Sequence, residues 1–172
     1  NNAYTISMYY RVNDAASLSG AGFFLWNFST SASCDATNGK YSAYRLNAQR
    51  IANSTGGFNN ETGAETGSPS QKGKWIHVLY RQNNTTGALY INGTLAASLT
   101  STTANTTNFT TSVPYAWIGR PPFSADNYLR NTLVYGIRLY NKALTTSEIS
   151  QLSALTDDLE YAYRYGTPGD FT

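Results

Sequence analysis

The sequence predicts an all-β protein built as a sandwich of sheets, and three observations carry this prediction. Only 13% of the 172 residues are charged while 14% are aromatic, and this balance is typical of sheet proteins rather than of helical or disordered chains. Apolar and polar residues alternate in several runs, which is the period of a half-buried strand. The segments between these runs are dense in Gly, Asn, Ser and Thr, which favour turns.

The clearest alternation lies at Tyr4 to Val12. One face would carry Ile6, Met8, Tyr10 and Val12, and the other Thr5, Ser7, Tyr9 and Arg11. Similar runs predict further strands at 22–28, 40–47, 74–81, 88–92, 114–119 and 132–140. Residues 53–73 are rich in Gly, Asn, Ser and Thr, and they predict a loop or a short edge strand. Seven or more strands with this spacing indicate a sandwich.

One short C-terminal helix is predicted, at TTSEISQLSAL. Thr145 or Thr146 can cap it, and Glu148 falls in its first turn. Ile149 and Leu152 are three residues apart, so they would dock one side of the helix against a sheet. The alternating Tyr161, Tyr163 and Tyr165 predict either a last strand that packs its rings on the sheet or an interface with a following module. We therefore expect one domain at 1–156 and a C-terminal strand or linker at 157–172.

Charge and cysteine content exclude several classes of function. The net charge is only +2 and the basic residues are scattered, so we expect no nucleic-acid partner. No apolar run approaches the roughly 18 residues of a membrane-spanning helix. Cys34 is the one cysteine and His77 the one histidine, so an internal disulfide and a zinc cluster are both excluded. We expect a soluble, exported chain whose signal peptide lay upstream.

His77 is a candidate general base only if a carboxylate orients it. The segment WIHVLYRQ, NNTTG, ALYING predicts two strands joined by a polar turn, with His77 in the middle of the first. No acidic residue occurs between Trp75 and Asn105. A structural role for His77 is therefore the prediction.

Two segments resemble the laminin-G-like branch of the concanavalin A-like lectin and glucanase superfamily. The first is KWIHVLYRQNNTTGALYINGTLAAS; the second combines AWIGRPPF with LVYGIRLYNKALTTSEISQL. The matching positions of the second are Ile118, Gly119, Arg120, Arg138, Tyr140, Asn141, Ala143, Leu144, Glu148 and Ile149. The resemblance covers roughly Tyr4 to Leu155. It implies a two-sheet antiparallel jelly roll, a fold that serves lectins, carbohydrate-binding modules, hydrolases, lyases and interaction domains alike.

Catalysis finds little support in the sequence. Glycoside hydrolases of this fold are similar in placing acids on a strand as Glu-x-Asp-x-x-Glu, because the two carboxylates must face one cleft. None of the ten acidic residues falls inside a predicted strand. Lyases of this architecture use a His, Tyr, Arg and Gln set, but alternation sends Tyr80 and Gln82 to the face opposite His77 and Arg81. The module itself is expected to be non-catalytic.

Carbohydrate binding is the favoured hypothesis, because aromatic faces stack on sugar rings while amide, carboxylate and guanidinium groups orient the hydroxyls. The stacking candidates are Trp117, Trp26, Tyr128 and Phe123, and the hydrogen-bonding candidates are Arg120, Asp126 and Asn127. Alternation turns Trp117 away from the core, whereas Trp26 could face either way because both faces of its strand are apolar. Pro121 and Pro122 stiffen the loop that carries Phe123.

The expected partners are a polysaccharide or oligosaccharide and the adjacent domains of the same polypeptide. We expect an accessory module of a secreted or cell-surface bacterial enzyme that degrades polysaccharides. The alternative is a structural module that positions a neighbouring catalytic domain, with those aromatics buried at the domain interface; a glycoside hydrolase or lyase is the third hypothesis. The sequence also allows a structural calcium ion, which backbone carbonyls and Asp14, Asp35 or Asp126 would bind.

Overall fold

The computed structural model describes residues 3–67, 72–100 and 113–165. In these residues ten strands, numbered in chain order, form two antiparallel sheets of five strands each. The spatial order of the first sheet is β10 (Thr132–Tyr140), β1 (Ala3–Val12), β6 (Trp75–Asn83), β7 (Thr86–Ile91), β8 (Thr94–Thr100). That of the second is β5 (Glu61–Glu65), β4 (Arg50–Ser54), β3 (Tyr41–Arg45), β2 (Phe24–Ser29), β9 (Tyr115–Ile118). The all-β sandwich predicted from the sequence is confirmed.

All seven runs of alternation correspond to strands, whereas β4 and β8 were not predicted. Strand β8 reads TLAASLT, and its polar and small residues give weak alternation. Strand β5 lies inside the polar segment 53–73 and is a short edge strand, one of the two alternatives that its composition predicts. Edge strands need bury only part of one face, so their sequences carry less pattern.

The main core lies between the two sheets. The predicted set Ile6, Met8, Tyr10 and Val12 points into it from β1, together with Trp26 and Tyr44 from the second sheet. The opposite face of β1 is also buried, because a helix covers the outer face of the first sheet: Tyr9 packs there with Trp75 and Leu159. The predicted faces of β1 are therefore confirmed, and the helix explains why its polar face is not exposed.

The helix α1 spans Thr146–Tyr165 and is longer than predicted. Its start follows the prediction, since the Glu148 amide donates to Thr145 Oγ1 and the Thr145 amide donates to Glu148 Oε2, which is a capping box. Ile149 and Leu152 dock against the first sheet, beside Leu79 and Tyr90. The prediction that Tyr161, Tyr163 and Tyr165 form a last strand is wrong, because α1 continues through all three.

The C-terminal boundary predicted at residue 156 lies inside this helix, and the tail 166–172 is outside the described residues. A helix that begins with a capping box and keeps an apolar face, here extended by buried Leu159, continues until that face ends. No helix in the described ranges combines the length and apolarity needed to cross a bilayer.

Among the residues that the structure describes, nothing covers one edge of the sandwich. Strands β8 and β5 contact each other at one edge, which places β9 and β10 at the other. Core-side residues there are solvent-exposed: Ile118, opposite Trp26, and Val134, Ile137 and Leu139 on β10 have exposed fractions between 40% and 63%. Gly136 adopts a positive φ of 58° at the irregularity in the β1–β10 register. This β-bulge is a position where glycine is favoured.

Candidate functional site

A groove of about 450 Å³ lies on the outer face of the second sheet. Strands β2 to β5 supply its floor and one wall, and the loop after β9 supplies the other wall. Its lining includes Phe24, Arg45, Arg50, Ala52, Phe58, Glu61, Phe123 and Asp126. An apolar concave surface with a few polar groups is the usual form of a ligand site.

The groove is concave because three adjacent strands have small outward-facing residues. Ala43, Ala52 and Gly63 lie directly opposite one another across β3, β4 and β5. A Cβ on Gly63 would lie 2.7 Å from Arg50 Nη2 and 2.9 Å from the Ile51 carbonyl oxygen. Gly63 therefore leaves the space across which the Arg50 side chain lies.

The apolar walls are three phenylalanine rings. Phe123 meets Phe24 and Phe58 edge to face, with ring centroids 6.3 and 5.7 Å apart. Its ring also contacts Tyr41, at 5.5 Å. Phe123 is therefore positioned by packing, while Phe58 is largely exposed. Edge-to-face contacts of this kind fix the orientation of a ring.

The loop that carries Phe123 is attached to the sandwich at both ends. The Cys34 amide donates to the Pro122 carbonyl over 2.7 Å. At the other end the Asn127 amide and its side-chain Nδ2 both donate to the Ala21 carbonyl. Gly22 is required there, because a Cβ would come within 2.4 Å of the Asn127 backbone. The role that the structure gives Asn127 is thus to hold the loop.

Two arginines lie side by side in the groove, and they differ in their ion pairs. Arg45 and Arg50 are directly opposite in the β3–β4 pair, an arrangement that is unfavourable for like charges. Arg50 is compensated by Glu61, and by Glu65 at 3.7 Å. In the described part of the chain Arg45 has no ion pair, and its buried Nε has no hydrogen-bond partner. Arg45 therefore has donors available to a ligand.

The acids of the groove also differ. Both oxygens of Glu61 are engaged, Oε1 by Arg50 and Oε2 by the Tyr41 hydroxyl, and its side chain is only 9% exposed. Burial raises the pKa of the Asp126 carboxyl, and the nearby Arg45 partly offsets this rise. No hydrogen bond to the Asp126 carboxylate is formed within the described ranges. Asp126 is therefore the acceptor that the groove presents.

Trp117 lies on the same outer face, on the edge strand β9, as alternation predicts. It is opposite Asn27, which faces outward, and not opposite a core residue. The Arg120 guanidinium carbon is 3.8 Å from the centre of the indole ring, and the Tyr115 ring is 5.2 Å away. Trp117 is half-buried and Tyr128 is exposed. Both remain accessible to a ligand.

Trp26 is not accessible, and this sequence hypothesis is corrected. Its indole points into the core, where it stacks on Tyr44 with ring centroids 5.0 Å apart, and the residue is fully buried. In this strand Leu25, Trp26 and Phe28 face the core. Phe24 packs against Phe123 on the outer face, where Asn27 also lies. Trp26 is therefore a core residue and cannot stack on a sugar.

Sequence reasoning missed Phe24, Arg45, Arg50, Phe58 and Glu61. The run RIANS does alternate, with Ile51 and Asn53 inward and Arg50 and Ala52 outward. Alternation over only five residues is a weak signal for a strand. Because β4 was not predicted, the groove could not be predicted either. Glu61 is an acidic residue inside a strand, contrary to the expectation for all ten.

His77 has the structural role predicted for it. It is buried in β6, where Nε2 lies 2.7 Å from Ser7 Oγ and Nδ1 lies 2.7 Å from Ser153 Oγ. Burial, and to a smaller extent the positive charge of Arg138, lower its pKa to about 4. As predicted, Tyr80 points into the opposite face of the sheet.

The three aspartates considered for calcium lie in different environments. Asp35 accepts from the Thr37 and Asn38 amides in a turn, Asp14 packs against Gly73, and Asp126 lies in the groove. Within residues 3–67, 72–100 and 113–165, no three His, Cys, Asp or Glu side chains are grouped as a metal site requires.

A comparison with known protein families shows to which superfamily the chain belongs. The profile of Laminin_G_3, of the concanavalin A-like lectin/glucanases superfamily, matches residues 1–150. The chain belongs to this superfamily. As a concanavalin A-like domain it has the jelly-roll fold that the resemblance of its Ile-Gly-Arg and Arg-x-Tyr-Asn segments implied. A search of the curated proteins found no significant match.

Several solved structures are similar to this fold at low sequence identity. Domain 4 of AbnA, a GH43 extracellular arabinanase from Geobacillus stearothermophilus, in complex with arabinotriose, is similar with a TM-score of 0.66, 17% identity and coverage of 88% of this chain and 66% of that one. The Ruminococcus gnavus IT-sialidase CBM40 bound to α2,3-sialyllactose is similar with a TM-score of 0.63 and 12% identity, and the match covers 88% of this chain and 83% of that one. Trypanosoma rangeli sialidase is similar with a TM-score of 0.59 and 18% identity, and the match covers 91% of this chain but only 23% of the enzyme.

Proposed function

We propose that this domain is a non-catalytic carbohydrate-binding module and that the groove on the second sheet is its binding site. The observation that carries the proposal is the combination, in one groove, of three phenylalanine walls with Arg45, which forms no ion pair in the described part of the chain, and an acceptor at Asp126. Two similar structures contain bound oligosaccharides, arabinotriose and sialyllactose, which supports carbohydrate as the ligand class.

The proposed mechanism divides the work between apolar and polar groups. Phe58 and Phe123 present ring edges and faces to the apolar side of a sugar ring, which removes apolar surface from water. Arg45 donates to, and Asp126 accepts from, neighbouring hydroxyls. Trp117, with Arg120 on its ring, and Tyr128 extend the contact surface beyond the groove.

The absence of catalysis is part of the proposal. Hydrolysis by two carboxylates needs one acid to attack or activate water while the other protonates the leaving group. Glu61 shares the groove with Asp126, but its two oxygens are occupied by Arg50 and Tyr41. Of the two carboxylates in the described lining of the groove, Asp126 is the one with unengaged oxygens, so binding without bond cleavage is the expected outcome.

We further propose that the domain is an accessory module of a secreted bacterial enzyme that acts on polysaccharides, adjacent to other domains of the same polypeptide. The similarity to a domain of an extracellular arabinanase supports this context. The module in this proposal extends at least to Tyr165, the last described residue of α1.

The alternative, a structural module that contacts a neighbouring domain, has one observation in its favour. The open edge exposes Ile118, Val134, Ile137 and Leu139 on the core side of the sandwich, and apolar side chains in such positions often mark a protein interface. In that case the Phe58 and Trp117 surface would have no ligand of its own.

The test is native affinity electrophoresis through gels that contain xylan, arabinoxylan, arabinan, mixed-linkage glucan, pectin or mucin. Retardation by one polymer, lost in Phe58→Ala, would support the groove as the site. Phe58 is suited to this test because it is exposed and its loss leaves the core intact. Lys142→Ala, at an exposed ion pair on the opposite face, is the matched control. Retardation by none of the polymers would favour the structural alternative.

A further inference from the structure

A second cavity, of about 340 Å³, lies on the opposite side of the sandwich. It is found where the end of α1 passes over β1 and β10. Its lining residues are Arg11, Asn13, Asn131, Thr132, Leu133 and Tyr163. Arg11 and Leu133 are direct partners across the two strands, and both face the helix side of the first sheet, away from the core.

The cavity has a fixed aromatic and cationic wall. The Arg11 guanidinium carbon is 4.0 Å from the centre of the Tyr163 ring, and Arg11 Nη2 donates to the Gly73 carbonyl over 2.7 Å. The Trp75 ring meets the Tyr163 ring at 6.5 Å, nearly edge to face. These contacts hold the Tyr163 ring in place although it is 48% exposed. A ligand that stacks on this ring finds it already oriented.

The remaining lining is uncharged and polar around one apolar side chain. The Asn13 Oδ1 accepts from the Ala15 amide and the Thr132 hydroxyl donates to the Arg130 carbonyl. These bonds leave the amide nitrogen of Asn13 and the amide group of Asn131, neither of which has a hydrogen-bond partner in the described part of the chain. Leu133, 48% exposed, supplies the apolar surface.

Arg11 adds an unmet donor, because its Nε is buried without a hydrogen-bond partner. A buried N–H group that forms no hydrogen bond is costly. Among the described lining residues of the cavity there is no carboxylate. An aromatic ring, an apolar patch, amide groups and a guanidinium together match the hydroxyl groups and apolar faces of a sugar ring better than they match a peptide or a lipid.

We propose that this cavity is a second saccharide-binding site, for a neutral sugar ring, and that the domain binds two glycan segments on opposite faces. The inference rests on the proposed function. The groove faces outward from the second sheet and this cavity from the first, and two packed sheets are about 10 Å apart. A short oligosaccharide cannot fill both sites, so each site takes its own ligand, and a long or branched polysaccharide gains avidity by occupying both.

The experiment is a titration of the ¹⁵N-labelled domain with arabinotriose, xylotriose and α2,3-sialyllactose, followed by NMR. The Arg11 Nε–H and the Asn13 and Asn131 side-chain amides report on the second cavity, and the Phe58 and Asp126 amides report on the groove. We expect two separate sets of shifts for at least one sugar. Tyr163→Ala should lower the affinity reported by the shifts of the second cavity at least tenfold and leave the affinity reported by the shifts of the groove unchanged. Phe58→Ala should do the reverse.

Asn131→Gly is the control for folding at this site. Asn131 has a positive φ of 52°, which glycine adopts without strain, so this variant removes the side chain with its amide group and does not strain the backbone. It should also lower affinity in the second set. Shifts confined to the groove would overturn the inference and leave the proposed function standing. No shifts in either set, together with no retardation in any polysaccharide gel, would overturn both.

Discussion

The imidazole Nδ1 of His77 on β6 lies 2.7 Å from Ser153 Oγ on α1. Ser153 Oγ donates its own hydrogen to the Ile149 carbonyl, so it accepts from His77, and Nδ1 carries the proton. Nε2 then accepts from the Ser7 hydroxyl, which is buried. The neutral tautomer satisfies every bond, whereas a second proton on Nε2 would face the Ser7 donor. Protonation of Nε2 would therefore break the bond to Ser7 within the sheet, while the Nδ1 bond to Ser153 on the helix would remain.

This linkage predicts a pH dependence of stability. The pKa of His77 is about 4 in the folded chain against an ordinary value of 6.5, so the unfolded state binds the proton first and stability falls as pH falls through this interval. Between pH 7 and pH 4.5 we expect a loss of roughly 2 to 3 kcal/mol, measured by urea denaturation at each pH.

His77→Gln is the variant that isolates this effect. It should be less stable at pH 7 but lose most of the slope between pH 6.5 and pH 4.5. Glu148, whose pKa is lowered to about 2, chiefly by its bond to Lys142, acts below that interval and does not interfere. An unchanged slope in the variant would show that other groups carry the dependence.

The two tryptophans on neighbouring strands should respond differently to truncation. Trp26→Ala removes a buried ring from the core and is expected to cost roughly 4 kcal/mol of the free energy of unfolding. Trp117→Ala removes a half-buried ring on the outer face and should cost about 1 kcal/mol, which shifts the melting temperature by only about 2 to 4 °C.

Thermal denaturation of the two variants by circular dichroism, with affinity electrophoresis of Trp117→Ala, checks this prediction. Trp117→Phe, which keeps an aromatic ring, is the matched control for binding. Equal losses of stability in Trp26→Ala and Trp117→Ala would contradict the placement of their side chains.

Glu61→Gln should affect folding and leave no trace in an assay for hydrolysis. The substitution keeps the size of the side chain but breaks a nearly buried ion pair with Arg50, and we expect a loss of roughly 3 kcal/mol. Glu65→Gln, the exposed partner of the same arginine, should cost well under 1 kcal/mol. Release of reducing sugar by the unmodified domain, abolished by Glu61→Gln or Asp126→Asn, would refute the non-catalytic proposal.

Binding in the groove should weaken in mildly acidic solution. Burial raises the pKa of Asp126, so this carboxylate takes up its proton at a higher pH than an ordinary aspartate, and it then loses part of its capacity to accept from sugar hydroxyls. Asp126→Asn should bind about as weakly at pH 7 as the wild type does in acid, with no pH dependence of its own. Fluorescence titration with the retained polysaccharide at several pH values measures this. A pH dependence that persists in Asp126→Asn would assign it elsewhere.

Much of the architecture could be predicted because its main strands are long and alternate strictly, as in β1, and because the helix begins with a capping box. The site was less predictable. Trp117, Phe123 and Asp126 could be proposed from a stiff loop beside a strand, but Trp26 lies on a strand whose two faces are both apolar, and alternation cannot choose between them. Arg45, Arg50 and Glu61 come together only through the β3–β4–β5 register, which five-residue strands do not specify in sequence.

The exposed side chains at β9 and β10 affect how the protein behaves at high concentration. In the described part of the chain β10 pairs with β1 alone, so its other side offers main-chain donors and acceptors next to Val134, Ile137 and Leu139. Most β-rich proteins protect such a strand with charge. We expect light scattering to rise with concentration and salt, and Val134→Lys to suppress it without altering the circular dichroism spectrum. For any biophysical work on this polypeptide, colloidal stability is then set by one strand.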